Sequence, residues 1–238
     1  MNETTRRLHL RQLAFGLQAG VLGAAPHRMA IWTYGCDLGC PACSSAQTWQ
    51  ADSAADAHWV PIQAILALAV EHGVNGLVIS GGEPTLQAPA VTELARGFKR
   101  IFPDKEVVLY TGLRFEPLSA RFPALVESVD VAVTGPYIEA LPPTPLAGSS
   151  NQRVNLLTPL AKRLFNGWES WPLHHLQIAA EIPTNNGQTE IVTVGIPHTQ
   201  RLEKALQGVP PPVQQESVGR QAAPVNKPGA RDGCNHES

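Results

Sequence analysis

Three thiols fall within eight residues, Cys36-Asp37-Leu38-Gly39-Cys40-Pro41-Ala42-Cys43, with three residues between the first pair and two between the second. Thiolates are soft ligands that suit iron-sulfur clusters, zinc and copper(I). Structural zinc usually closes four protein ligands, and most iron-sulfur clusters also take four cysteines. Here the run stops at three, and the one other cysteine, Cys234, lies in a distant polar stretch. Three thiolates leave one metal coordination position open, and an open position is where chemistry occurs. Zinc held by the same cysteines and a histidine, His58 or His72, is the competing arrangement. Inert buried cysteines fit poorly beside Gly39 and Pro41. Few cysteines for the length, and no secretory pattern at the start, argue against a disulfide framework.

The surrounding elements must place these thiols. Met29 to Thr33 is apolar on both faces, as a buried parallel strand would be, and runs straight into the cysteine loop. His58 to His72 carries a broad apolar stripe and reads as a helix, with Pro61 in its first turn and Gly73 as terminator. Gly76 to Ser80 reads as a second strand, Pro89 to Ile101 as a second helix and Glu106 to Tyr110 as a third strand. Pro117 to Ser128 is a short helix broken at Pro123, and Asp130 to Val133 a fourth strand. Strand-helix alternation predicts an α/β parallel sheet. Cys36, Gly81, Thr111 and Gly135 each follow a strand's C-terminal end, the edge on which α/β active sites gather.

Leu8 to Leu22 is ambiguous between strand and helix. Val154 to Leu157 is apolar, and Pro159 to Phe165 predicts a helical turn or two. Leu173 to Ile182 and Glu190 to Ile196 read as strands of a terminal antiparallel hairpin, joined through Asn186-Gly187. A short helix is expected over Gln200 to Leu206, and a disordered tail from Gly208. The expected division is a lead-in segment at 1–28, a domain at 29–207 and the tail at 208–238. The formal charge of −2 does not suggest a nucleic-acid surface. No apolar run approaches the roughly 20 residues that span a bilayer. The cytoplasm, where thiols stay reduced, is the expected location.

Cys36-x3-Cys40-x2-Cys43 after a first strand resembles the cluster motif of the radical S-adenosylmethionine (SAM) superfamily. Ser80-Gly81-Gly82-Glu83-Pro84 resembles that family's second motif, which follows the second strand and binds the methionine amino group. The likeness extends to Leu109-Tyr110-Thr111-Gly112, to Thr134-Gly135-Pro136-Tyr137 and to Gly148-Ser149-Ser150-Asn151-Gln152-Arg153. These occur in the order seen in anaerobic ribonucleotide-reductase activating enzymes and in related single-cluster proteins grouped with pyruvate formate-lyase activase. Ala42 fits this branch, which carries a small residue before the third cysteine.

The resemblance implies a partial (β/α) barrel with a C-terminal hairpin. Cys36, Cys40 and Cys43 would bind three irons of a [4Fe-4S] cluster, and SAM would chelate the fourth. Gly81 and Gly82 would let backbone approach the methionine part of SAM, Glu83 would pair with its ammonium, and Pro84 would fix the loop exit. Backbone at Ala42 and Ser44 would touch the adenine, and Thr111 would reach SAM from the third strand. No catalytic side chain beyond cluster and SAM is implied. One electron, from a flavodoxin- or ferredoxin-type reductant, would split the S–C5′ bond and leave a hydrogen-abstracting radical. The implied target is a backbone glycine of a glycyl-radical enzyme. Three departures leave a peptide or small-molecule target open: Ser44-Ser45 where an aromatic and Asn are usual, Thr134 where an acidic residue is usual, and Ala147 where a basic one is common. A non-catalytic iron-sulfur module is the remaining alternative.

Overall fold

The computed structural model describes residues 6–50, 58–173, 176–183 and 189–195. They lie within one compact unit, Met1–His198. In chain order the elements are β1 (Arg7–Leu17), β2 (Arg28–Thr33), β3 (His58–Pro61), α1 (Ile62–Glu71), β4 (Gly76–Gly81), α2 (Ala88–Ile101), β5 (Glu106–Thr111), α3 (Phe115–Arg121), α4 (Pro123–Val126), β6 (Val131–Thr134), β7 (Arg153–Leu156), α5 (Pro159–Leu164), β8 (Leu176–Pro183) and β9 (Thr189–Gly195).

Seven strands form one open sheet in the order β3-β1-β2-β4-β5-β6-β7. The four central strands β2, β4, β5 and β6 run parallel. Antiparallel strands flank them on both sides: β1 and β3 next to β2, and β7 next to β6. The central strands are apolar on both faces because both faces are covered. Met29, Ile31, Leu77, Ile79, Val107, Leu109 and Ala132 meet the helix layer. Their neighbours Ala30, Trp32, Val78, Val108, Val131 and Val133 face a second core with Leu146, Ala161 and Phe165. This is the two-residue alternation of a pleated strand. Val91, Leu94 and Phe98 of α2 are fully buried in the first core, each stabilising by about 1.5–3 kcal/mol.

Three differences from the sequence reading bear on the site. The ambiguous Leu8 to Leu22 contains β1, a long strand inside the lead-in segment that pairs with β2. The helix expected from His58 starts at Ile62, and His58–Pro61 pairs with β1 instead. Trp59 and Val60 favour strand, and the residue before a proline is pushed out of the helical region. Val154 to Leu156 of that apolar stretch lie in β7, antiparallel to β6. The sheet is open, so a closed barrel is not what the strand order shows. β8 and β9 pair antiparallel in a separate sheet. The turn expected at 184–188, the helix at 200–206 and the tail lie outside the described residues. No helix among the described residues is long and apolar enough to cross a membrane.

Candidate cluster and cofactor site

The chain leaves β2 at Thr33 and enters a loop pinned on both flanks. Tyr34 N–H donates to the His9 carbonyl at 2.9 Å, Gly35 N–H to Thr48 at 2.9 Å and Cys36 N–H to Trp49 at 3.3 Å. A short 3-10 turn at Ala46–Thr48 supports the far side, with Thr48 Oγ1 donating to the Ser45 carbonyl at 2.6 Å. Inside the loop Cys43 N–H donates to the Cys40 carbonyl at 3.3 Å, and Ala42 takes a left-handed φ of 53°. Cys36, Cys40 and Cys43 are free, half-buried thiols. All three line one cavity of about 320 Å³ at the C-terminal edge of the parallel strands. Burial pushes the Cys36 thiol up from its ordinary range, against the N–H groups of Leu38 and Gly39. Ser45 N–H donates to Cys43 Sγ at 3.4 Å, the kind of bond that tunes a cluster sulfur.

The glycines after β4 are demanded by backbone contact. Gly81 has φ 123°, and a Cβ there would lie 2.1 Å from the Thr33 nitrogen. A Cβ on Gly82 would lie 2.1 Å from the Gly35 carbonyl oxygen. Gly82 N–H donates to Thr33 O at 2.8 Å and Glu83 N–H to Gly35 O at 2.6 Å. The motif loop is thereby fastened to the start of the cysteine loop.

Glu83 turns inward and is 1% exposed. Its Oε1 accepts from Thr85 N at 3.0 Å, Thr85 Oγ1 at 2.7 Å and Thr111 Oγ1 at 2.8 Å. Its Oε2 accepts from Gly112 N at 2.9 Å. The carboxylate thus joins the end of β4 to the end of β5. Gly112 in turn supports the cysteine loop: a Cβ there would meet Leu38 at 2.2 Å.

The opposite wall comes from the loops after β6 and before β7. Gln152 Oε1 accepts from Gly148 N at 2.9 Å and Ser149 N at 3.2 Å, and Nε2 donates to Gly135 O at 3.0 Å. Asn151 Nδ2 donates to Pro136 O at 2.7 Å. Burial first, then Glu139 and Cys43, push the Tyr137 hydroxyl up, and Tyr137 lines the same cavity as the three thiols. Desolvation holds the partly buried Tyr110 phenol well above its ordinary value, and its hydroxyl donates to the Leu146 carbonyl at 2.9 Å.

Of the residues singled out from sequence, Cys36, Cys40, Cys43, Ser44, Gly82 and Thr111 line the cavity. Ala42, Gly81, Glu83 and Pro84 stand outside that lining and shape it from behind. Thr134 does not line it either; its Oγ1 accepts from Asn155 Nδ2 at 3.0 Å. His72 stacks on Phe15 at 3.8 Å, at the sheet end opposite the cysteines, so it is not the fourth ligand of a zinc site. Among the described residues no three His, Cys, Asp or Glu side chains gather tightly enough to close round a single ion. A multi-iron cluster binds its thiolates on separate irons, and three free thiols lining one cavity fit that group. Sequence reasoning singled out neither Gln12 nor Trp32, and gave Tyr137 no role within the Thr134 to Tyr137 match; all three line the cavity. Their placement depends on strand pairing and loop closure, and only Gly135-Pro136 before Tyr137 carried a local signal.

An open α/β sheet with three thiols and a Gly-Gly loop on one strand edge defines a cluster-binding protein of the radical SAM kind. The 4Fe-4S single cluster domain family matches residues 22–155, and the chain belongs to it. The anaerobic ribonucleoside-triphosphate reductase-activating protein of Vibrio cholerae is 31% identical over 137 residues, 55% of this chain and 88% of that protein. Its counterpart in phage T4 is 28% identical over 130 residues, 53% of this chain and 82% of the relative. The Escherichia coli K12 counterpart is 26% identical over 141 residues, 55% of this chain and 88% of the relative. The crystal structure of Escherichia coli QueE overlays with a TM-score of 0.34 at 19% identity, covering 44% of this chain and 53% of that one, too slight a likeness to argue from. The cofactors of this chain are a [4Fe-4S] cluster and SAM.

Proposed function

We propose that this protein is an activating enzyme that takes a hydrogen atom from a backbone glycine of a partner polypeptide, and so switches on a glycyl-radical enzyme. The observation that carries the reading is the convergence of three free thiols with Gly82, Thr111 and Gly112 on one cavity. The relatives' names point the same way, since each is called a reductase-activating protein. In this reading the open sheet is the partial (β/α) barrel of the superfamily, and Cys36, Cys40 and Cys43 hold the cluster.

When bound, the cluster and SAM supply one-electron cleavage of a sulfonium C–S bond and a radical able to abstract hydrogen. The chain's residues position and enclose. Ser44, Gly82 and Thr111 contact SAM, while Ala42, Gly81, Glu83 and Pro84 hold those contacts in place. Trp32 and Tyr110 form the apolar floor that keeps water from the reacting atoms. A flavodoxin- or ferredoxin-type protein delivers the electron, in the cytoplasm. Ser44 and Ala147, two positions that depart from the activating-enzyme pattern, line the cavity. They favour a target that differs in sequence from the relatives' reductases.

The test is anaerobic reconstitution with iron and sulfide, reduction, and EPR with and without SAM, together with an assay for 5′-deoxyadenosine. The expected result is a cluster signal that changes on adding SAM, with nucleoside formed by the native chain and lost in Cys40→Ala. Unchanged nucleoside formation in Cys40→Ala would overturn the assignment, and a cluster blind to SAM would make the protein a binding module.

A further inference from the structure

The pleat of β1 changes phase partway along. Leu8 and Leu10 pack in the core beneath the helices. Strict alternation would send Gln12 and Ala14 to that same side, where an amide would have only apolar neighbours. The pairing with β2 slips instead: Leu10 faces Thr33 and Gln12 faces Trp32, so two residues of β1 span one of β2. Beyond this bulge Leu13 and Phe15 take over the helix side. Ala14 and Leu17 join the core on the other face, and Gln12 lines the cavity beside Trp32. Bulges re-aim side chains and recur beside active sites.

Gln12 is half-buried, and its side-chain amide has no hydrogen-bond partner among the described residues. A free amide offers one acceptor and two donors, the complement of a peptide group's N–H and C=O. The charge of the cavity agrees. Its described lining contains no Lys, Arg or His, and Glu139 is its one carboxylate. Phosphate and carboxylate substrates are usually gripped by guanidinium or ammonium groups. This wall offers amides, hydroxyls and aromatic rings.

We infer that Gln12 is a specificity residue that hydrogen-bonds the backbone of the polypeptide segment presented to the cavity. The inference rests on the polypeptide-target reading above and adds to it the residue that recognises the chain. Gln12 sits one strand away from β2 and supports none of the cysteine-loop or Gly82 contacts, so its removal acts on the target and leaves SAM alone.

The experiment uses the full cluster-loaded chain and a library of eight-residue peptides with a central α,α-dideuterated glycine. Uncoupled 5′-deoxyadenosine formation is measured without peptide, and deuterium in the nucleoside is measured with it. Gln12→Leu should raise the peptide KM about three- to tenfold, the weight of one hydrogen bond to a neutral partner. Its kcat, its uncoupled nucleoside formation and its SAM-induced EPR change should match the native chain. Gln12→Asn keeps the amide but withdraws it by one methylene, and should raise KM less; it also serves if the leucine variant folds poorly. An unchanged KM in both variants, with deuterium transfer intact in the native chain, would overturn the role of Gln12 alone. Equal loss of uncoupled cleavage would move Gln12 into the SAM site and overturn it too. SAM cleavage by the native chain with no deuterium from any peptide would overturn the polypeptide reading and this inference with it.

Discussion

Glu83 ties the end of β4 to the end of β5 with one buried carboxylate. Both oxygens are occupied by protein donors: Thr85, its hydroxyl, and the Thr111 hydroxyl on one side, Gly112 N–H on the other. Glu83→Gln exchanges one acceptor oxygen for a donor amide. Whichever way the amide turns, a donor that an oxygen satisfied is left facing NH2. A buried unsatisfied group costs about 1–3 kcal/mol. Glu83→Gln should therefore destabilise the cluster-free chain by about that much in urea, before any cofactor is added, and should weaken SAM binding through the displaced Thr111-Gly112 wall. A variant within about 0.5 kcal/mol of native that binds SAM poorly would show the carboxylate acting on the SAM ammonium directly. The cysteines were legible in the sequence because their chemistry lies in their spacing. The partners of Glu83 and the aim of Gln12 were not, because each depends on residues brought together from other strands.

At the scale of elements, the end of the sheet opposite the cysteines is held by a buried ion pair. Arg28 Nε and Glu106 Oε1 are 3.7 Å apart with both side chains fully buried, joining the first residue of β2 to the first of β5. Glu106 also accepts from Ala24 N at 2.9 Å and Ala25 N at 3.1 Å, and Arg28 donates to the Ala25 and Gln18 carbonyls. Burial pushes the Glu106 carboxyl up and the Arg28 guanidinium down, each against the other's attraction. Arg28→Met strands the carboxyl and should cost about 3–5 kcal/mol. Adding Glu106→Leu removes the stranded charge and recovers part of that, while the Ala24 and Ala25 N–H groups lose their acceptor. In the single variant the carboxyl binds its proton more tightly folded than unfolded. Stability therefore rises as pH falls toward the ordinary carboxylate range, and the loss shrinks. Urea titrations across pH check both statements; a single variant as stable as the double would remove the pair from the account. The parallel strands were readable because burial on both faces makes them continuous apolar runs. β1 was not, since its bulge breaks the alternation that marks a strand, and β3 was absorbed into the apolar stripe of the helix after it. An antiparallel β7 could be placed only by its partner β6.

For the molecule as a whole, the cavity is built from parts far apart in sequence. β1 supplies Gln12, the cysteine loop its thiols, β4 Gly82, β5 Thr111, and the loops beyond β6 supply Tyr137 and Gln152. The sheet is open, so nothing in its hydrogen bonding ties β1 to β7 across that space. A ligand touching several of these walls binds the folded chain and finds no such site in the unfolded one. At a concentration about 100 times Kd such a ligand stabilises by about 2.7 kcal/mol. For a chain of this length each kcal/mol raises Tm by about 2–4 °C. SAM should therefore raise the Tm of the cluster-loaded protein by about 5–10 °C in anaerobic calorimetry at fixed scan rate. On the proposed reading, in which a cluster bound at Cys36, Cys40 and Cys43 would hold SAM, the cluster-free protein should show no shift. An equal shift in both forms would mean that the cavity binds the nucleoside unaided, and that three thiols beside Gly82 do not by themselves define where SAM is held.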